Sequence, residues 1–218
     1  MTKQIAVSIE AAPKKSFATA VDWPGWSRSG RTEALAVSAI AFYAVRYAIV
    51  PELAGEPFDD PERLDFDVVE RIAGSGSTEF GVPGGVTDND RRPVSADGAD
   101  RLARLVTAAW QVFDDTSASA PDELRKGPRG GGRDTPAIIG HVIGSEHGYA
   151  REMGLRLPQP DPADRATVET LRAALLDVLR KPSDGSPLAG RRWTTRYAAH
   201  RIAWHALDHA WEIEDRID

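Results

Sequence analysis

Residues 191–218 read RRWTTRYAAHRIAWHALDHAWEIEDRID, without a single glycine or proline. His205 and His209 lie four residues apart. On a helix that spacing puts them about 40° apart in angle and one turn apart in height, so both imidazoles can reach one ion. Around the same axis Arg201, His205, Asp208, His209, Glu212 and Arg216 form a single polar stripe. Ile202 and Ile213 flank it on one side, Trp204 and Trp211 on the other. A polar stripe with apolar margins suits an interior site within packed helices better than a solvent face. His200 falls on the side of Glu214 and reads as a surface residue.

Three earlier segments share this helical period. Leu102, Leu105, Val106, Ala109, Val112 and Phe113 make an apolar stripe beginning near Asp97. A second helix opens at Asp134 or Thr135, with Pro136 in its first turn, and carries Ile138, Ile139, His141, Val142 and Ile143. Gly140, Gly144 and Gly148 form a ridge beside His141. Each glycine costs about 1 kcal/mol of helix propensity against alanine. The ridge therefore implies close helix packing or room for a ligand. A third helix starts at Asp161-Pro162-Ala163-Asp164, buries Val168, Leu171, Leu175 and Val178, and ends at Lys181-Pro182. Four such helices imply a four-helix bundle. Residues 125–133, with four cations and four glycines, read as a flexible connector or as an anion-binding lid beside the site.

The N-terminal third has a different period. Ile5, Val7 and Ile9 alternate with polar or small residues, and a second strand is expected over Ser16 to Trp23. After turns at Asp22–Trp26 and Ser29–Arg31, Thr32 caps a helix expected to stop before Pro51. Leu64, Phe66 and Val68 begin a further strand. Residues 74–95 read as a long connector. The fold class is thus α+β, with domains at 1–94 and 95–218.

Composition narrows the chemistry. The 218-residue chain carries a net charge of −6, which argues against a nucleic-acid footprint. No apolar run approaches the roughly 20 residues of a membrane span, and no signal peptide is read, so a cytoplasmic location is expected. There is no cysteine, hence no disulfide, thiolate ligand or cysteine nucleophile. Any thiol must arrive as a co-substrate. His141, His205 and His209 are the candidate ligands for a divalent metal: Zn²⁺ first, with Ni²⁺, Mn²⁺ or Fe²⁺ compatible. Asp208 and Glu212 are candidates to orient ring N–H groups or to act as a general base. Arg201 and Trp204 are candidates for substrate binding, Arg201 through an anionic group.

Two resemblances add to this reading. Ile138-Ile139-Gly140-His141-Val142-Ile143-Gly144-Ser145-Glu146 together with Arg201-Ile202-Ala203-Trp204-His205-Ala206-Leu207-Asp208-His209-Ala210-Trp211-Glu212 resemble the DinB superfamily, over about residues 95–218. That resemblance implies a four-helix bundle with His141, His205 and His209 as metal ligands. It also implies a metal-dependent transfer of a low-molecular-weight thiol such as mycothiol or bacillithiol, or an isomerisation, on a small electrophile in a bacterial cell. Phe17-Ala18-Thr19-Ala20-Val21-Asp22-Trp23-Pro24-Gly25-Trp26 and Ser29-Gly30-Arg31-Thr32-Glu33 resemble the HicB fold over about residues 3–50. The turn differs from that family's usual Pro-Asp-Leu-Pro-Gly-Cys. The expected partner is a small molecule, with neither nucleic acid nor membrane, and homodimerisation is allowed. The alternative is a non-catalytic, metal-stabilised binding or stress-response protein whose HicB-like part docks a partner.

Overall fold

The computed structural model describes residues 3–127 and 131–217. The fold is α+β. Strands β1 (Lys3–Ala11), β2 (Ser16–Ala20), β3 (Ser27–Gly30) and β4 (Leu64–Ala73) form one mixed sheet in the order β3-β2-β1-β4. β1 pairs antiparallel with β2 and parallel with β4. The parallel pair requires a crossover, supplied by α1 (Glu33–Phe42), α2 (Ala44–Tyr47) and α3 (Ile49–Ala54).

Two sequence expectations are corrected here. The second strand ends at Ala20, not Trp23, because the chain reverses: the Ala20 amide donates to Trp26 O and the Trp23 amide to Ala20 O. The first helix does not stop before Pro51. It breaks at Tyr43 and Ala48 and resumes. Pro51 sits in the first turn of α3, where its missing N–H would have no helical partner anyway. Gly55, at φ 67°, ends that helix.

The connector at 74–95 is also more ordered than read. It holds α4 (Gly76–Phe80), closed by a capping box at Ser75 and Thr78, and a short 3-10 turn at Asn89–Arg91. Four long helices follow: α5 (Ala96–Ser119), α6 (Thr135–Glu152), α7 (Arg165–Leu179) and α8 (Thr195–Glu214). Each starts at a polar residue in the extended conformation; Ser95, Asp164 and Thr194 accept a backbone N–H at this cap. Among the described residues no single helix is long and apolar enough to cross a membrane.

The sheet lies between α1–α3 and α8. Ile5, Val7, Ile9, Ala18 and Ala20 share one face and join the core with Ala36, Ile40 and Tyr47. Trp26 stacks on Tyr47 at 4.9 Å and meets Phe66 edge-on at 5.5 Å. The opposite face bears Ser8, Glu10, Phe17, Thr19 and Ser27. Its polar content suggests solvent, yet Ser8 and Glu10 are each only 6% exposed, because α8 and the 74–95 segment cover them. A bulge between Val7 and Ser8 shifts the β4 register. It moves the Glu70 side of β4 onto this second face, where Glu70 accepts the Asp88 and Asn89 amides.

α8 joins the two halves. Gly25, at φ 91°, is pressed against it: a Cβ there would lie 2.7 Å from Leu207 Cδ1. Arg28 donates to Asp208 at 2.8 Å, and its guanidinium sits 4.0 Å from the Tyr43 ring centre. Arg46 pairs with Glu214 and Asp215. One continuous hydrophobic cluster runs from Ile5 to Ile213.

Candidate metal centre

α8 is buried on nearly every side, so its polar stripe must be satisfied inside the protein. α6 lies across it and brings in His141. The His141, His205 and His209 rings stand 4.7–5.0 Å apart, centre to centre. Their ligating nitrogens all lie within 4.8 Å of one another. His205 Nε2 is 3.2 Å from His141 Nε2. Two imidazole nitrogens on one tetrahedral Zn²⁺ stand about 3.3 Å apart, given Zn–N bonds of about 2.05 Å. The donor set fits a divalent ion of that kind.

Protonation favours the same use. Burial pushes the His205 imidazole well below its usual range, aided by the nearby His209, Arg201 and His141. His141 is lowered too, by burial first and then by His209 and Arg133. Neutral imidazoles keep the lone pairs that a metal needs. His209 Nδ1 is 2.7 Å from Glu212 Oε2, and Glu212 Oε1 accepts from Arg216 at 2.8 Å. The hydrogen bond to His209 holds the Glu212 carboxyl below the usual carboxylate range. A carboxylate on Nδ1–H fixes the tautomer in which Nε2 is free to coordinate.

The other candidates are placed less centrally. Asp208 pairs with Arg28 of the sheet. Arg201 lines the cavity between the sheet and α8, and its charge acts on His205. Its guanidinium lies 5.4 Å from the Tyr149 ring centre and 4.8 Å from that of Trp204. Trp204 leans on His205 at 6.0 Å and meets Phe17 of β2 edge-on. The loop at 125–133 borders Glu212 and Arg216: the Arg125 amide donates to Arg216 O at 3.0 Å. Its Pro128, Arg129 and Gly130, part of the lid reading, lie outside the described residues.

The glycine ridge of α6 is resolved against close packing. A Cβ added at Gly144 or Gly148 meets nothing within 4 Å, and one at Gly140 meets only Pro162 Cγ at 3.9 Å. The ridge leaves open space beside His141. His200, read as a surface residue, is instead 8% exposed, with Nε2 3.1 Å from Val21 O. The sheet covers that side of α8, and no local pattern announces a long-range contact of this kind. Arg28 and Tyr149 went unsingled for the same reason: their partners are far away in sequence.

No protein-family model, curated protein or solved structure matches the chain.

Proposed function

We propose that α5–α8 form a DinB-like four-helix bundle, and that His141, His205 and His209 hold a divalent metal used in transferring a low-molecular-weight thiol to a small electrophile. The HicB-like sheet and helices would close one side of it. The observation that carries this reading is the convergence of three imidazoles, from two helices, within 4.8 Å in a chain without cysteine. Zn²⁺ suits the donor set best; Ni²⁺, Mn²⁺ and Fe²⁺ are compatible.

A bound divalent cation would supply the positive charge that favours thiolate over thiol near neutral pH. The chain's own residues do the positioning. Glu212 orients His209 and is itself held by Arg216. With both oxygens engaged, Glu212 serves as an orienter of the ligand rather than as a mobile base. Asp208, held by Arg28, fixes α8 against the sheet. The open strip beside Gly144 and Gly148 gives the reactants a way to His141.

The test is a conjugation assay on protein loaded with Zn²⁺, Ni²⁺, Mn²⁺ or Fe²⁺. Mycothiol, bacillithiol and cysteine are offered with alkyl halides and activated alkenes, and thioethers are read by mass spectrometry. Metal-dependent product lost in His205→Ala supports the reading. Product of equal yield without metal, or no product with any pair, contradicts it.

A second reading has its own observation. Leu35, Phe42, Val45, Ile49 and Leu53 leave an exposed apolar face on α1–α3, with Phe42 79% exposed. A non-catalytic protein whose HicB-like part docks a partner, with metal stapling the helices, would use such a face. It requires that metal removal unfold α5–α8. The thiol-transfer reading requires a folded, inactive protein.

A further inference from the structure

The outer side of α1–α3 is apolar as well as the inner side. Ala36, Ile40, Ala44, Tyr47 and Val50 pack inward into the core. Leu35, Ser38, Phe42, Val45, Ile49 and Glu52 are exposed. These six follow one another at intervals of three and four residues, the repeat by which one helix seats against another. A helix that faces water carries charge on its outer side. Here Arg46 is the only charged residue from Ala34 to Pro51. It is turned to α8, where it pairs with Glu214 and Asp215.

The open area matches a definite need. Leu35, Phe42, Val45, Ile49 and Leu53 are 54, 79, 58, 39 and 40% exposed. At about 150–200 Å² for a whole residue of this size, they leave about 400–550 Å² of apolar surface uncovered. A homodimer interface of about 800 Å² per partner, about 65% apolar, takes about 520 Å² of such surface from each copy. One face therefore supplies one interface.

We propose that this face binds a second copy of the chain about a twofold axis near Phe42. Phe42 is the most exposed side chain of the stripe and sits at the 51° bend between α1 and the helices after it. A twofold contact uses the same patch on both copies, so the patch must complement itself. Its middle is uncharged, so like meets like there without burying a charge. Its ends carry opposite charges: Arg31 just before α1 and Glu52 in α3, both exposed and neither in an ion pair among the described residues. Phe42 lies eleven residues after Arg31 and ten before Glu52. A twofold there turns the Arg31 end of one copy toward the Glu52 end of the other.

A membrane surface suits this face less well. α1–α3 carry the carboxylates Glu33 and Glu52 against the engaged Arg46, and the net charge is −6. A helix lying in an anionic leaflet presents cations along its polar side. The reading of function that docks another protein uses the same surface, so the two compete for it. The assignment does not depend on the metal.

The test is sedimentation equilibrium of the full chain over a range of micromolar concentrations. Wild type should reach twice the 23.7 kDa chain mass. Phe42→Glu should raise the dimer dissociation constant about 100-fold or more, because each dimer carries the change twice at its centre. Its circular dichroism should match wild type, since Phe42 reaches solvent in the single chain. The chain has no cysteine, so Phe42→Cys supplies the sole thiol. A short bismaleimide should join two copies of it into a covalent dimer. Phe80→Cys, on α4 and equally open at 89% exposure, should remain monomeric under the same treatment. That pair decides the matter if Phe42→Glu does not fold. A wild-type chain that sediments as a monomer, whether or not it binds phosphatidylglycerol vesicles or another protein, would overturn the proposal. So would an unchanged dissociation constant in Phe42→Glu, or equal cross-linking at positions 42 and 80.

Discussion

Replacing Glu212 with glutamine separates a positioned metal site from three histidines that merely lie close. Glu212 serves two donors with two oxygens: His209 Nδ1–H at 2.7 Å and Arg216 Nη1 at 2.8 Å. Glutamine keeps the shape but has one carbonyl oxygen and no charge, so one donor would meet an NH₂ group instead. Losing such a partner behind a ligating histidine weakens metal binding about 10- to 100-fold, or about 1.4–2.7 kcal/mol. Glu212 keeps a third of its side chain in solvent, at 33% exposure, so the effect should fall near the lower end. The assay is a competition titration of Zn²⁺ between the protein and a chromogenic chelator at pH 7.5. Asp208→Asn is the control: its carboxylate pairs with Arg28, not with an imidazole. That variant should bind Zn²⁺ within about twofold of wild type while losing about 0.5–1 kcal/mol of stability, the range of a partly exposed ion pair. Wild-type affinity in Glu212→Gln, or an equal loss in Asp208→Asn, would refute the reasoning.

Gly25→Ala should destabilise the protein by about 2–4 kcal/mol, combining left-handed backbone strain with overpacking against Leu207, and chemical denaturation reads this directly. Gly144→Ala should do the reverse, raising stability by about 1 kcal/mol, because its Cβ meets nothing and the helix gains propensity; a loss in the same assay would mean that the strip is not open. For pH, the folded His205 imidazole is lowered while the unfolded one titrates near 6.5. The unfolded chain then binds more protons below about pH 6.5, so stability rises with pH across that window. Metal-free wild type should therefore lose melting temperature relative to His205→Asn as the pH falls from 8 to 5, and a constant difference would contradict the lowered value.

The helices were legible because each carries a 3.6-residue apolar stripe and a polar start. Leu102, Leu105, Val106, Ala109 and Phe113 are all buried in α5, and Ser95 caps it. His141, His205 and His209 were legible for two different reasons: one pair shares a helix face, and the third lies beside glycines that open space next to it. What local pattern could not show was where the sheet would sit. Ser8 and Glu10 alternate with Val7 and Ile9 as an outward face would, yet α8 covers them. His200, about 80° from the nearest member of the metal stripe at 3.6 residues per turn, becomes buried by the same docking, and Asp208 turns to Arg28, 180 residues away. A partner that distant leaves no periodicity to read. Pro51 misled because its position within α3, not its mere presence, decides whether a helix tolerates it.

The central claim is that three imidazoles form one metal site. Elemental analysis of purified protein, after equilibration with Zn²⁺ and removal of loosely bound ions, tests it most directly. About one equivalent per chain is expected in wild type, falling to near zero in each of His141→Ala, His205→Ala and His209→Ala, with circular dichroism showing that the variants remain helical. Zinc-free wild type, or full occupancy in any of the three folded variants, would contradict it.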